Sequence, residues 1–179
     1  MTTHVPSNNW ISEVFSFPHP VNENAARMVA GMVVIMTTVI IVFQIPELMF
    51  VLGYGFLARV ATGPTLSPMG LLATRVLVPL LGIKVRPTAG PPKRFAQAVG
   101  FGFSATALLL HYVFGLSTAA YAVLGGLVFF AALEAVVGFC TGCFVFGYLM
   151  RWGVIPQEIC EKCNNLTLTD GLERKLYVR

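Results

Sequence analysis

The stretch that decides the fold is residues 95–150, FAQAVGFGFSATALLLHYVFGLSTAAYAVLGGLVFFAALEAVVGFCTGCFVFGYLM, in which Glu134 is the one charged residue. A transmembrane helix needs about 20 consecutive apolar residues to cross about 30 Å of hydrocarbon. The stretch is long enough for two crossings, and Gly-Leu-Ser-Thr at 115–118 offers a turn and a helix start between them. We therefore predict two spans, over about 95–114 and 118–139.

Two more apolar runs lie upstream. Residues 28–45 contain no charge, and Pro46 cannot continue a helix because it lacks a backbone donor and clashes with the preceding turn. This run predicts a first span over about 25–44. A second, shorter span is predicted over 47–62, where the long side chain of Arg59 can reach toward the lipid head groups.

The segment between spans two and three has a different pattern. Prolines interrupt it, and Arg75 lies near its centre, while Leu72, Val76 and Leu80 recur at helical spacing. This pattern favours an amphipathic helix in the membrane interface, over about 66–86, rather than a crossing. The expected fold class is therefore all-α, an integral membrane four-helix bundle with an interfacial helix between spans two and three.

Composition agrees with this class. Hydrophobic residues make up 56% of the 179, and the mean hydropathy is +0.75, which argues against both a soluble domain and a disordered chain. The first 24 residues contain no Lys or Arg and no short apolar core before a small-residue cleavage site, so a removable signal peptide is not expected. We divide the chain into an N-terminal segment 1–24, a membrane domain 25–152 and a C-terminal tail 153–179.

The net charge of +4 is informative because of where the 12 cationic residues lie along the chain. In the four-span arrangement all of them fall on one side of the membrane: Arg27, Arg59, Arg75, Lys84, Arg86, Lys93, Arg94, Arg151, Lys162, Arg174, Lys175 and Arg179. Cytoplasmic loops carry the excess of Lys and Arg. The distribution predicts a multi-pass inner-membrane protein with both termini cytoplasmic, and a lipid bilayer rather than a nucleic acid as the partner of these charges.

The four cysteines form two C-x-x-C pairs, Cys140 with Cys143 and Cys160 with Cys163. Their spacing fits a zinc site in which the four thiolates surround one ion. It equally fits a thiol relay, because a second sulfur at this separation can resolve a mixed disulfide or persulfide formed on the first. A third alternative is four inert cysteines.

Two charged features are further candidates. Glu134 lies within an apolar run, where an ionisable group is a functional candidate as a proton carrier or polar contact, or is simply protonated and hydrogen-bonded. Lys93 and Arg94 lie in the first turn of span three, where the helix dipole disfavours cations, so an anion or a lipid head group is expected to bind there.

Three separated phrases, VNENAAR at 21–27, GPPKRFAQ at 90–97 and LEAVVGFCTGC at 133–143, resemble a bacterial multi-pass membrane family of unknown function. The resemblance spans about 17–150 and implies a membrane domain, but no activity. The motif positions that it suggests are Asn22, Glu23, Asn24, Arg27, Lys93, Arg94, Gln97, Glu134, Cys140 and Cys143.

The leading functional hypothesis is thiol, disulfide or sulfane-sulfur chemistry at the cytoplasmic face, with Cys140, Cys143 and Glu134 as the candidate catalytic residues. It implies a thioredoxin-like or sulfur-transfer partner. The alternatives are a non-enzymatic scaffold or assembly partner that holds zinc through Cys140, Cys143, Cys160 and Cys163, and a small carrier of anions or sulfur compounds. Small-residue helix faces also suggest a homo-oligomer.

Overall fold

The computed structural model describes residues 21–84, 86–88 and 90–153. The greater part of the N-terminal segment and of the C-terminal tail, with Cys160 and Cys163, lies outside these residues. Six helices form the described part, and we number them in chain order: α1 Glu23–Phe43, α2 Leu48–Thr62, α3 Pro68–Leu80, α4 Gly90–Val113, α5 Ser117–Val137 and α6 Thr141–Arg151.

The all-α prediction is confirmed, and so is the presence of helices that can span a membrane. Within the described residues α1, α4 and α5 are long and apolar enough to cross, whereas α2 has 15 residues and a length of about 22 Å. Helix α3 falls inside the predicted interfacial segment. Its residues Leu72, Val76 and Leu80 are exposed and point away from the bundle.

The start and end of α1 follow from local chemistry. The side-chain oxygen of Asn22 accepts a hydrogen bond from the Asn24 backbone N–H at 3.1 Å, and thereby satisfies one of the free donors of the first turn. The helix ends at Gln44, which adopts a left-handed conformation (φ 53°) two residues before Pro46.

A short antiparallel ribbon ties the start of α1 to the segment before α4. Strand β1, Val21–Asn22, pairs with β2, Pro87–Thr88. The Asn24 amide also donates to the Lys84 carbonyl at 2.8 Å. The ribbon therefore fixes the starts of the two helices next to each other.

The start of α4 lies five residues before the predicted boundary. Pro91 and Pro92 fit its first turn, because the backbone donors at a helix start have no intrahelical acceptor and their loss costs little. Lys93 and Arg94 therefore lie within α4, near its start, as the sequence indicated.

The core is formed where the helices cross. Helix α2 packs against α4, and α1 packs against α5. Gly100 allows a close approach, because a Cβ there would overlap the ring of Phe56. The largest fully buried apolar side chains are Ile40, Met49, Leu52 and Leu124, while many large apolar side chains point outward, as expected of helices that face lipid.

Candidate functional site

The first cysteine pair lies at a break between two helices. Helix α5 ends at Gly138, whose left-handed conformation (φ 76°) is easily adopted by glycine and terminates the helix. The chain restarts as α6 with Cys140 as its N-cap, and the Cys140 Sγ accepts a hydrogen bond from the Cys143 backbone N–H at 3.3 Å. The sequence analysis did not predict this helix.

The two sulfurs face each other across the first turn of α6. Cys140 and Cys143 are in disulfide contact, with their Cα atoms 5.2 Å apart. Both residues are half-buried. A sulfur at a helix N-terminus is near free N–H groups and the positive end of the helix dipole, which favour a thiolate. The contact between the sulfurs and their position at a helix start are therefore compatible with disulfide exchange.

Close backbone packing holds α6 in this position. A Cβ at Gly142 would lie 2.6 Å from both the Cα and the Cβ of Ala96 on α4. Any larger residue would therefore push the start of α6 away from α4. The ring of Phe146, which is buried, packs against that of Phe95 with a centroid separation of 5.7 Å.

The Glu134 carboxylate has a partner that the sequence analysis did not consider. Lys93 Nζ donates to Glu134 Oε1 at 2.7 Å, and the side chains are only 7% and 14% exposed. The Lys93 ammonium thus already has an anionic partner within the protein. The neighbouring Arg94 is exposed, and its Nε donates to the Val60 carbonyl at 2.9 Å.

Glu134 also lines a cavity of about 360 Å³. Most of the walls are apolar, and the polar lining comes from Glu134, Gln97 and Thr141. Thr141 and Gly142, the residues between the two cysteines in the sequence, form part of its wall. The Thr141 hydroxyl is buried and has no hydrogen-bond partner among the described residues. Glu134 and the two residues between the cysteines therefore line the same cavity.

Arg59 does not extend to the head groups as expected. It is 4% exposed, and its guanidinium carbon lies 4.5 Å from the centroid of the Phe56 ring. Its Nε donates to Gln97 Oε1 at 2.7 Å, and Nη1 donates to the Ser67 hydroxyl at 3.0 Å. The position of Arg59 within an apolar run was a sequence signal for a functional or buried charge, but the run does not specify which residues bind it.

Arg27 binds the C-terminal end of α5. Its Nη2 donates to the Val136 carbonyl at 2.9 Å and to the Ala135 carbonyl at 3.3 Å. The guanidinium also packs against Gly138, where a Cβ would lie 3.4 Å from it. Because these carbonyls have no backbone N–H donor within the helix, a cation is well suited to the position. Arg27 thus fixes the end of α5 from which the cysteine segment begins.

We call this region the cysteine end, defined by residues 21–27, 59–70, 86–97 and 134–143. It brings together residues from all three phrases singled out in the sequence. The family described as "Domain of unknown function (DUF4395)" matches residues 21–151. The chain belongs to this family. No curated protein and no solved structure matches the chain.

The predicted four-cysteine zinc site remains a prediction, because Cys160 and Cys163 lie outside the described residues. Within the part that the structure describes, no three His, Cys, Asp or Glu side chains lie close enough together to hold a metal ion. Cys140 and Cys143 therefore provide two of the four thiolates that the zinc hypothesis requires.

Proposed function

We propose that the protein exchanges thiols and disulfides at the cytoplasmic face of the bacterial inner membrane, with Cys140 and Cys143 as the reacting pair. The observation that carries the proposal is the contact between the two sulfurs at the start of α6. The cationic residues support the orientation, since all of them fall on the side of the cysteine end in the four-span arrangement.

The helix start favours Cys140 as the nucleophile. In the reduced state the Cys140 thiolate attacks a disulfide of a thioredoxin-like partner, forms a mixed disulfide and releases one partner sulfur as a thiolate. Cys143, as a thiolate, then attacks the Cys140 sulfur and displaces the second partner sulfur. Two electrons pass to the partner, which becomes a dithiol, and Cys140–Cys143 becomes a disulfide. The reverse sequence reduces the pair.

Glu134 has a positioning role in this proposal. Its carboxylate is held by Lys93, and Glu134 lines the same cavity as Thr141 and Gly142, the residues between the two cysteines. The ion pair joins α4 to α5 just before the break at Gly138. It therefore helps to hold the segment that carries Cys140, without contact to the reacting sulfurs.

Trapping of the mixed disulfide tests the assignment. In Cys143→Ser the resolving thiol is missing, so a disulfide of a thioredoxin-like protein should leave a stable adduct on Cys140, detected by intact-protein mass spectrometry. Cys140→Ser should yield far less adduct. The matched control is Cys160→Ser with Cys163→Ser, which should leave exchange at the first pair unchanged. Equal trapping in the two single variants, or none, would contradict the roles assigned here.

Two further measurements separate this proposal from the alternatives. One metal ion per chain in anaerobically purified protein, lost in Cys160→Ser, would favour the zinc scaffold. A mass increase of 32 Da (one sulfur) on Cys140 after treatment with polysulfide, without exchange with disulfides, would favour sulfane-sulfur transfer. Labelling of Cys160 from outside intact cells by a membrane-impermeant reagent would contradict the proposed orientation.

A further inference from the structure

A second, smaller cavity lies beside the ion pair, between the starts of α1 and α4, the end of α2 and helix α3. Its volume is about 140 Å³. The polar residues that line it are Asn22, Arg59, Thr74, Lys93 and Gln97. Two of these five carry a positive charge, and no carboxylate of the described residues lines the cavity.

Arg59 contributes a buried positive charge to this cavity. It is 96% buried, and its Nη2 has no hydrogen-bond partner among the described residues, although Nε and Nη1 are both satisfied. Within the described part of the chain, no carboxylate lies within 4.0 Å of its guanidinium. A buried charge without a counter-ion and a buried donor without an acceptor are both costly.

Glu134 attracts Arg59 electrostatically, but its carboxylate is already paired with Lys93. Lys93 and Glu134 form a one-to-one ion pair and cancel each other. Burying Arg59 therefore leaves one positive charge uncompensated among these three residues. A bound anion would supply both the counter-charge and the acceptor for Nη2.

We propose that this cavity binds a single oxyanion group of the phosphate or sulfate type. The Arg59 Nη2 carries two N–H groups without an acceptor among the described residues, and hydrogen bonds from a guanidinium to such an anion are charge-assisted. The volume suits one small group, because it is well below the about 300–1,000 Å³ of sites for larger organic ligands. The group is supplied either as a free ion or by a lipid head group. The site is separate from Cys140 and Cys143 and does not depend on thiol exchange.

The first experiment uses the full chain in detergent after removal of lipid. Phosphate or sulfate should raise the unfolding temperature in a saturable manner, by about 2–4 °C, above the effect of chloride at equal ionic strength. Native mass spectrometry of the protein before lipid removal tests the other source. A retained anionic phospholipid that is lost in Arg59→Gln identifies a head group as the occupant.

Variants distinguish this site from general charge effects. Arg59→Gln should abolish the stabilisation by phosphate. Because that variant can also disturb folding, Ala26→Leu provides a second test: Ala26 lines the cavity, and the larger side chain fills it while Arg59 stays in place. The controls are Arg86→Gln, at a side chain that is 72% exposed, and Ala122→Leu, at an exposed position on α5. Both controls should respond to phosphate as the natural protein does.

The proposal that this cavity binds an oxyanion can be contradicted in two ways. It is wrong if neither free oxyanion stabilises the protein beyond chloride and no anionic lipid is retained. It is equally wrong if Ala26→Leu and Arg59→Gln keep the full response. A response lost in both variants and kept in both controls supports the site. Activity of the cysteine pair is measured separately, so that failure here leaves the thiol-exchange proposal untouched.

Discussion

The cysteine end combines ion pairs with a ring contact between Phe95 and Phe146, whereas ring contacts join the helices at the opposite end. Both ion pairs of the described residues, Lys93 with Glu134 and Arg86 with Glu23, lie at the cysteine end. At the opposite end, which we call the aromatic end and define as residues 44–50 and 109–121, Phe50 packs against Tyr112 at 5.0 Å between ring centroids. The ring of His111 on α4 lies 6.2 Å from that of Tyr121 on α5, measured between centroids.

The difference shows where this small bundle concentrates its charged contacts. Ring contacts are tolerant of small shifts, because they have a broad range of acceptable geometries. Buried charges require specific partners, because any partner that is lost leaves an unsatisfied charge. The cysteine pair lies at the end with the stricter requirements. Under the proposed function, these specific contacts hold the segment that carries the two sulfurs in position.

The largest expected effect comes from breaking the ion pair. Glu134→Gln leaves the Lys93 ammonium buried without a counter-charge, which should cost about 3–5 kcal/mol in the free energy of unfolding. Unfolding in detergent, followed by circular dichroism against denaturant, measures the loss. The control is the double variant Lys93→Met with Glu134→Leu, which replaces both charges by apolar groups and should regain most of the stability. A double variant as unstable as the single one would contradict the role of the pair.

A smaller effect is expected where α6 packs on α4. Gly142→Ala introduces a Cβ that overlaps Ala96, so that α6 must shift, at a cost of about 1–3 kcal/mol. The same shift should slow oxidation of Cys140 and Cys143, measured by timed alkylation of free thiols. Gly147→Ala is the matched control on α6, since nothing lies within 4 Å of a Cβ there. If both variants oxidised at the same rate, the close approach would have no part in positioning the cysteines.

The smallest effect is expected at the aromatic end. Phe50→Leu removes one ring contact from a side chain that is 55% exposed and should cost about 0.5–1 kcal/mol. Thiol exchange at Cys140 should be unchanged, because the substitution lies at the other end of the bundle. If Phe50→Leu impaired the cysteine pair as much as Gly142→Ala, the two ends would not differ in their effect on Cys140 and Cys143.

Much of the helical framework was predictable from the sequence. Uninterrupted apolar runs indicated α1, α4 and α5, because the backbone in hydrocarbon must satisfy its hydrogen bonds internally and a helix does so. The cap at Asn22 and the prolines at the start of α4 are local signals of the same kind, because an acceptor side chain and a residue without an N–H both suit the first turn of a helix. The predicted end of span four, about residue 139, differs from the observed end at Val137, since Gly138 breaks the helix.

Other features of the site required the structure. The pairing of Lys93 with Glu134 joins residues that are 41 positions apart, and Arg59 meets Gln97 across 38 positions. Helical spacing predicts which side chains share a face of one helix, but it carries no information on which helix lies opposite. For this reason Arg59 was expected at the head groups and was instead found buried.

The sequence by itself determined that the chain forms apolar helices, that its cationic residues are segregated, and that its cysteines occur in pairs. These properties depend on residues near each other along the chain, where hydrophobicity and hydrogen bonding act locally. Only the tertiary structure decided that Glu134 forms an ion pair with Lys93 and that Arg59 keeps a buried donor without a partner among the described residues. It also decided that Gly142 packs closely against α4, next to the cysteines. Those outcomes depend on the distances between helices, which the packing of all their faces sets together.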